Sequence, residues 1–155
     1  MDTALMVGSS LLGLLLFLLV LLLVLLLVVR RAVRRLRARG RAEIARRYPA
    51  SEVLLEETLA QSFGQQSKGA TQLRGSGALA LTGTELCFVM YVPASELRIP
   101  LASIDAVSLV RSHLGKSQGT KLLHVRFTRE GVEDAIAWRL PEPDAWQARI
   151  DARRG

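Results

Sequence analysis

The chain opens with a long apolar run and continues with short alternating segments, and the two patterns predict different structures. From residue 11 to residue 29, 19 consecutive residues are apolar or glycine. At a rise of about 1.5 Å per residue, a helix of this length measures about 28 Å, close to the ~30 Å hydrocarbon core of a bilayer. We therefore expect a transmembrane helix over residues 6–29, in contact with the lipid bilayer and preceded by an extracytoplasmic tail over residues 1–5.

Beyond residue 51, short apolar segments separated by Gly, Ser, Pro and charged residues follow one another at the spacing of an antiparallel β fold. Residues 77–82 and 85–92 flank Gly83-Thr84, which predicts a β-hairpin whose turn uses a positive φ at Gly83. Alternation places four side chains of the second strand on one face: Leu86, Phe88, Met90 and Val92. Further strands are predicted at residues 97–101, 103–110, 121–128 and 132–139.

Three local signals complete the predicted elements. Pro100 has no backbone N–H to donate, so its strand should lie at a sheet edge or bend there. The segment 52–60 fits either a strand or a helix. The stretch 141–144 is typical of a helix start, and Trp146 and Ile150 share one face of the helix that follows. Together these elements predict about seven strands and one terminal helix around a single core.

Charge is distributed unevenly along the chain and narrows the choice of partners. The formal net charge is +7, and residues 30–47, the arginine run, contain nine arginines and one acid, Glu43. The other 12 basic residues lie between Tyr48 and Gly155, where 12 acidic residues balance them. Because the run follows the apolar segment directly and has no interleaved aromatic side chain before Tyr48, we do not expect nucleic-acid binding.

The arginine run also predicts topology. Positive residues beside a span stay on the cytoplasmic side, so we expect a single-pass protein of the cell membrane with its N-terminus outside and residues 30–155 in the cytoplasm. A cleaved signal peptide is the competing interpretation, but it needs a basic N-terminal region, a shorter apolar core and a small-residue cleavage site. The single cysteine, Cys87, lies in an apolar segment, which favours a buried thiol in a reducing compartment.

The sequence leaves the role of the arginine-rich juxtamembrane segment, residues 30–50, open between two interpretations. Arginines near a membrane surface attract anionic headgroups by about 1 kcal/mol each; alternatively, the segment only sets topology. Its candidate lipid contacts are Arg30, Arg31, Arg34, Arg35 and Arg37. Within the apolar helix, Ser9 and Gly13 have a spacing that lets two helices approach, a weak indication of a homo-oligomer.

The order of the β segments resembles that of a known family. The segments GALALTGTELCFV, RIPLASIDAVSLV and KLLHVRF and a final AWQARI helix are similar to the pleckstrin-homology (PH) superfold, particularly its GRAM-like branch in a bacterial, membrane-anchored form. This resemblance covers about residues 52–152. It implies a mainly-β PH-like domain over residues 51–155, with two orthogonal antiparallel sheets capped by the C-terminal helix. It also implies that residues 52–60 form the first strand and that Trp146 belongs to the core.

The resemblance directs attention to two basic stretches of the domain. Lipid-binding members of the superfold hold inositol phosphates with basic residues around their first two strands, where this chain offers only Lys68 and Arg74 as candidate contacts. A denser basic stretch, residues 111–121, joins two predicted strands, and we expect a solvated hairpin loop that can contact an anion or a partner. Its candidate residues are Arg111, His113, Lys116 and Lys121.

Catalysis has little support in the sequence. With two histidines and one cysteine, no set of residues has metal-ligand spacing, and no Ser-His-Asp order stands out. We therefore expect no catalytic residues, no metal and no cofactor, and a module that binds or scaffolds an unidentified protein at the cytoplasmic membrane face. The alternative is a sensor of anionic lipid headgroups that uses the arginine run and the basic stretches of the domain.

Overall fold

In a computed structural model of the chain, residues 2–69, 72 and 74–154 are described, with side chains from residue 12 onward except at position 118. The first helix, α1, extends over Asp2–Ala45. Contacts divide the chain into two compact units, Met1–Leu36 and Arg37–Gly155. The second unit begins within the predicted juxtamembrane segment, and the domain start at residue 51 stays a prediction.

The first unit is the apolar part of α1. Within the described residues, one helix, counted from residue 12, is long and apolar enough to cross a membrane. Its large apolar side chains from Leu12 to Val29 are exposed. A helix that is apolar on all sides is typical of a membrane span. The apolar N-terminal helix is therefore confirmed, while the side chain of Ser9 lies outside the described part.

The second unit is built on one sheet of seven antiparallel strands, in the order β4-β3-β2-β1-β7-β6-β5. Its strands are β1 Val53–Gln65, β2 Gly75–Thr82, β3 Glu85–Met90, β4 Ser95–Pro100, β5 Ile104–His113, β6 Lys116–Arg129 and β7 Val132–Arg139. Short 3-10 turns cover Gln66–Lys68 and Leu101–Ser103. The chain ends in helix α2, Pro143–Arg154.

Most predicted elements are confirmed. The β2–β3 hairpin forms with Leu81 opposite Leu86, and the ambiguous segment 52–60 belongs to strand β1. Strand β4, which ends at Pro100, lies at a sheet edge. In α2, Trp146 and Ile150 are buried in the core, as their shared helical face predicted.

The resemblance implied two orthogonal antiparallel sheets, whereas the structure has one sheet in which β1 joins the two groups of strands. This strand of 13 residues pairs with β2 along most of its length and with β7 through Gln61, Ser62 and Gln65. The sheet is nevertheless strongly curved. Across a flat sheet, β3 and β7 would be about 14 Å apart, yet the rings of Phe88 and Trp138 meet edge to face at 5.7 Å.

Two details of the β2–β3 hairpin differ from the prediction. Gly83 does not have a positive φ, so its turn does not use the left-handed conformation. Instead, the Thr82 hydroxyl accepts hydrogen bonds from the backbone N–H groups of Thr84 and Glu85, which organises the turn through a side chain. Val92 does not share the face of β3, because the strand ends at Met90 and Val92 is 75% exposed.

Candidate functional site

The C-terminal part of the arginine run packs against the β-sheet. Gly40 and Ile44 lie four residues apart on one side of α1, and Tyr48 follows just beyond the end of this helix at Ala45. All three residues are buried. Ile44 and Tyr48 join an apolar cluster formed in and beside β2 and β3. The other buried members are Ala78, Ala80, Cys87, Val89 and Tyr91. We refer to residues 37–48 as the docked segment.

Gly40 is a point of close approach between the docked segment and the sheet. A Cβ at Gly40 would lie 2.8 Å from Cβ of Thr58 and against the hydroxyl of Tyr91. The register of β1 shifts between Glu57 and Ala60, so Thr58 lies in a bulge. The Tyr91 hydroxyl donates to the Thr58 carbonyl there. Glycine therefore leaves the space in which this hydrogen-bonded bulge can contact the helix.

Ion pairs border the docked segment. Arg47 pairs with Glu43 within the segment at 2.8 Å and with Glu96 of β4 at 2.7 Å. The hydrogen bonds from Arg47 lower the pKa of both carboxyl groups, and the bond to Glu96 raises the pKa of Arg47. Arg98 continues the row by pairing with Glu96 and, at 3.4 Å, with Glu85. Because these groups are partly exposed, we expect them to orient the segment more than to stabilise it.

Tyr48 closes the end of the docked segment. Its hydroxyl donates a hydrogen bond to Glu85, and the Arg98 guanidinium carbon lies 5.8 Å from the centre of its ring. Burial, followed by the hydrogen bond to Glu85, raises the pKa of Tyr48, so the phenol stays protonated. The neighbouring Cys87 is a buried free thiol whose pKa is also raised by burial. The predicted burial of Cys87 is thus confirmed.

The nine arginines of the run differ in their surroundings. Four of them interact with described groups: Arg39 with the Tyr91 ring, Arg41 with Glu56, Arg46 with Glu43, and Arg47 with Glu43 and Glu96. The other five are the predicted lipid contacts of the run, Arg30, Arg31, Arg34, Arg35 and Arg37. These five are exposed, and none has a hydrogen bond or ion pair with a described residue.

The two candidate lipid contacts of the domain have different surroundings. Lys68 is exposed at the end of the 3-10 turn after β1. The guanidinium carbon of Arg74 lies 4.6 Å from the centre of the Phe63 ring, and this arginine donates to the Ser117 carbonyl at 3.4 Å. Arg74 therefore contacts the end of the β5–β6 hairpin. Residues 70, 71 and 73, between the two candidates, lie outside the described part.

Residues 111–121 do not form the predicted solvated loop. β5 continues to His113 and β6 begins at Lys116, so the turn between them is Leu114-Gly115, with positive φ at both residues. The Gly, Ser, Lys and Gln residues of this stretch are typical of a loop. Backbone hydrogen bonds between the strands extend the hairpin nonetheless, because a β ladder does not require apolar side chains at its end.

The hairpin disperses the basic residues that the sequence grouped together. Arg111 is exposed on β5, and Lys116 donates to the backbone carbonyl of Gln72. Lys121 points to another element, since it pairs with Asp144 of α2 at 2.8 Å. Of the candidates, Arg74, His113 and Lys116 lie at the same end of the hairpin, where His113 is paired opposite Lys116, while Lys121 contacts another element.

His113 and His124 form a pair inside the domain. Their ring centres are 5.2 Å apart, and Nε2 of His113, which is buried, lies 3.1 Å from the carbonyl oxygen of Gly64. This contact assigns the proton of a neutral His113 to Nε2, because the carbonyl can only accept. Burial lowers the pKa of both histidines, and the charge of His113 lowers that of His124 further.

We expect the free energy of unfolding to fall as the pH is lowered from 7.5 to 5.5. Because the folded protein favours neutral histidines, the unfolded chain takes up protons first once the pH drops below about 6.5. Each histidine adds a slope of at most about 1.4 kcal/mol per pH unit. Urea unfolding of the full-length protein in detergent micelles measures this slope. The substitution His113→Gln should flatten this slope. An unchanged slope would contradict a buried, neutral His113 as a source of the pH dependence.

A cleft of about 750 Å³ opens where β1 separates from β7. The last residue of β7, Arg139, pairs with Gln61, so the first half of β1 runs past the end of β7. Leu59, Gln61 and Ser76 line the cleft from β1 and β2, and the Lys121–Asp144 ion pair lines it from β6 and α2. The cleft thus combines apolar and polar surface with a neutralised pair of charges.

The described side chains contain no group of three or more His, Cys, Asp and Glu residues that could hold a metal ion. Asp134 is a buried carboxylate whose hydrogen bonds connect parts of the fold. Burial opposes its ionisation, but hydrogen bonds from Gln65 and Ser67 lower its pKa overall. Its oxygens are thereby engaged in linking β7 to the turn after β1.

Comparisons with known proteins bear on the fold. No protein-family profile and no curated protein matches the sequence, whereas chains of solved structures do match. One belongs to a structure described as "The 8S snRNP Assembly Intermediate", with a TM-score of 0.54 and 9% identity over 68% of this chain and 84% of that chain. Another is the C-terminal domain of an unknown protein from Leishmania infantum, with a TM-score of 0.47 and 16% identity over 68% and 86% of the two chains.

At these identities the first likeness concerns the fold alone, and the second is too distant in structure to carry an argument. The protein therefore combines an N-terminal apolar helix with an antiparallel β-sheet domain and a C-terminal helix, a domain fold similar to one in a solved assembly.

Proposed function

We propose that this protein is a single-pass, membrane-anchored binding module that presents a PH-like, GRAM-like domain at the cytoplasmic face of a cell membrane. In this proposal the domain engages a protein partner and performs no chemistry. An exposed apolar helix followed by the arginine run supports the anchor and its orientation. Seven antiparallel strands and a C-terminal helix with Trp146 in the core support the PH-like assignment.

The packing of the docked segment on the sheet is the observation that carries the proposal. Gly40, the first described residue that is buried, follows Val29 by eleven residues. The tether between the apolar segment and the folded domain is therefore short along the chain. A short tether raises the effective concentration of the domain toward other membrane components without any new contact.

The cleft beside β1 is the surface that we propose for the partner. Lys121 and Asp144 neutralise each other at its rim, so this part of the cleft does not offer a single sign of charge to an ionic ligand. Leu59 and Pro141 add apolar surface next to the polar side chains of Gln61 and Ser76. Protein interfaces commonly combine apolar and polar surface in this way.

Site-specific photo-crosslinking in native membranes tests this function. A photoreactive residue at Thr120, which lines the cleft and is exposed, should give one reproducible protein adduct of the full-length chain. Glu130, exposed just beyond the other end of β6, is the control position and should not give that adduct. Lipid adducts alone, or the same protein adduct from both positions, would contradict a partner bound in the cleft.

Orientation has a separate test. Protease added to intact cells should leave the domain uncut, whereas the same protease should digest it after the cells are opened. Digestion of the domain in intact cells would place it outside and would overturn the proposal.

Binding of anionic lipid is the second candidate function. It is favoured by the concentration of nine arginines next to the apolar segment, while the rest of the chain beyond them is charge-balanced. In this alternative, the arginine run engages headgroups together with basic residues of the domain, namely Lys68, Arg74, Arg111 and Lys116. The full-length protein in vesicles should then select anionic over zwitterionic lipid, and salt should weaken that selection.

A further inference from the structure

We propose that the arginine run consists of two parts with different roles, and that the boundary between them falls between Arg37 and Arg39. In this proposal the five arginines up to Arg37 contact anionic headgroups, whereas the arginines from Arg39 to Arg47 hold the docked segment on the domain. The inference rests on the second candidate function and deepens it, because it specifies which charges the lipid meets.

Three of the four arginines that follow Arg37 in the run have partners in the domain outside the docked segment. Arg41 lies 3.6 Å from Glu56 of β1, and Arg47 lies 2.7 Å from Glu96 of β4, so two strands each supply one carboxylate. Arg39 lies over the Tyr91 ring, with its guanidinium carbon 5.5 Å from the ring centre. Headgroup binding by these arginines would have to compete with contacts that hold the segment in place.

Glu43 neutralises the same half of the run from within. Its carboxylate forms ion pairs with Arg47, at 2.8 Å, and with Arg46. These contacts lower the pKa of Glu43. Glu43 is therefore ionised at neutral pH. Together with Glu56 and Glu96, it sets three acidic groups against the four arginines of the docked half.

The five arginines up to Arg37 have no acidic neighbours along this part of the chain. They occupy eight consecutive residues directly after Val29, and no acidic residue lies between Asp2 and Glu43. All five are exposed, and none pairs with a described group. Five like charges without compensation repel one another, so an external anion is favoured. Beside an apolar segment that spans a bilayer, the nearest dense anions are lipid phosphates, which the guanidinium group can bind in a bidentate manner.

Two charge-matched sets of substitutions test the division. One set replaces Arg30, Arg31, Arg34 and Arg35 with Gln, and the other replaces Arg39, Arg41, Arg46 and Arg47 with Gln. Each set removes four charges from the full-length protein. Both variants are reconstituted in vesicles of phosphatidylcholine with a minor fraction of phosphatidylglycerol, and electron paramagnetic resonance of spin-labelled lipids measures which lipid is enriched at the protein.

We expect the first set to lower the relative association of phosphatidylglycerol by about fivefold or more, roughly the effect of one arginine at a membrane surface. The second set should leave it within about twofold of the parent protein, because these four arginines already contact carboxylates or an aromatic ring of the protein. Replacing the first four arginines with Lys should retain most of the selectivity, since the charge is kept.

Two results would overturn the inference, and they are distinguishable. Equal losses in both sets would mean that the lipid meets the whole run, so the division would fail while lipid binding stood. An unchanged selectivity in both sets would mean that the run makes no headgroup contact, and the second candidate function would fall with the division.

Discussion

Replacing Trp138 with alanine is expected to lower the free energy of unfolding by about 3–5 kcal/mol, the range for a large aromatic side chain removed from a packed core. Trp138 is fully buried in β7, where its ring meets that of Phe88 from β3 at an interplanar angle of 62°. Alanine would leave a cavity between β3 and β7, which two other strands separate in the order of the curved sheet. Urea unfolding of the full-length protein in micelles measures the loss through the fluorescence of Trp146, the other tryptophan.

Two further substitutions separate packing from other causes of that loss. Val132→Ala is the matched control on the same strand, because Val132 is exposed and should be close to neutral. Trp138→Phe keeps an aromatic ring and removes Nε1, which has no hydrogen-bond partner within the described part of the chain. We expect it to cost about 1–2 kcal/mol. A loss below about 1 kcal/mol for alanine would show that the sheet does not close around Trp138.

Replacing Gly40 with leucine should release the docked segment from the sheet. The new Cβ alone would lie 2.8 Å from Cβ of Thr58, and overpacking of this kind typically costs about 1–3 kcal/mol. Leucine favours a helix over glycine by roughly 1 kcal/mol, so a helix that did not touch the sheet would become more stable. A destabilising effect can therefore come only from the contact with Thr58 and Tyr91.

Trypsin cleavage of the full-length protein reports the release. Cleavage after Arg41, Arg46 or Arg47 should become at least about tenfold faster in Gly40→Leu, because local opening by 1.4 kcal/mol raises the open population tenfold. Gly83→Leu is the matched control, since no atom lies within 4 Å of a Cβ at this position. Equal rates in the parent protein and in Gly40→Leu would mean that the segment is not held on the sheet.

The strands were predictable because alternation is a local property. The β2–β3 hairpin, the edge position of Pro100 and the inward face of α2 all followed from residues close together in the sequence. Local patterns failed at two turns, one organised by a side chain and the other shortened by backbone pairing. Thr82 organises the turn that seemed to need a positive φ at Gly83, and the ladder between β5 and β6 extends through a polar stretch.

The candidate site was only half predictable. The sequence located the arginine run beside an apolar segment, and Gly40 and Ile44 already lay near one helical face. It did not indicate that Tyr91 and Glu96, about 50 residues further along the chain, would meet that face. A basic helix has the same periodicity whether it is solvated or packed, so periodicity could not divide the run.

By itself, the amino-acid sequence determined the apolar helix, the excess of positive charge beside it, the strands and the terminal helix. These features depend on hydrophobic length, local charge and short-range alternation. Only the tertiary structure decided that β1 joins all strands into one curved sheet and that Trp138 lies in its core. It also decided that four arginines of the run have partners among the described residues while five have none there. Each of these outcomes depends on residues distant in sequence becoming neighbours, and hence on packing and charge pairing that no local pattern contains.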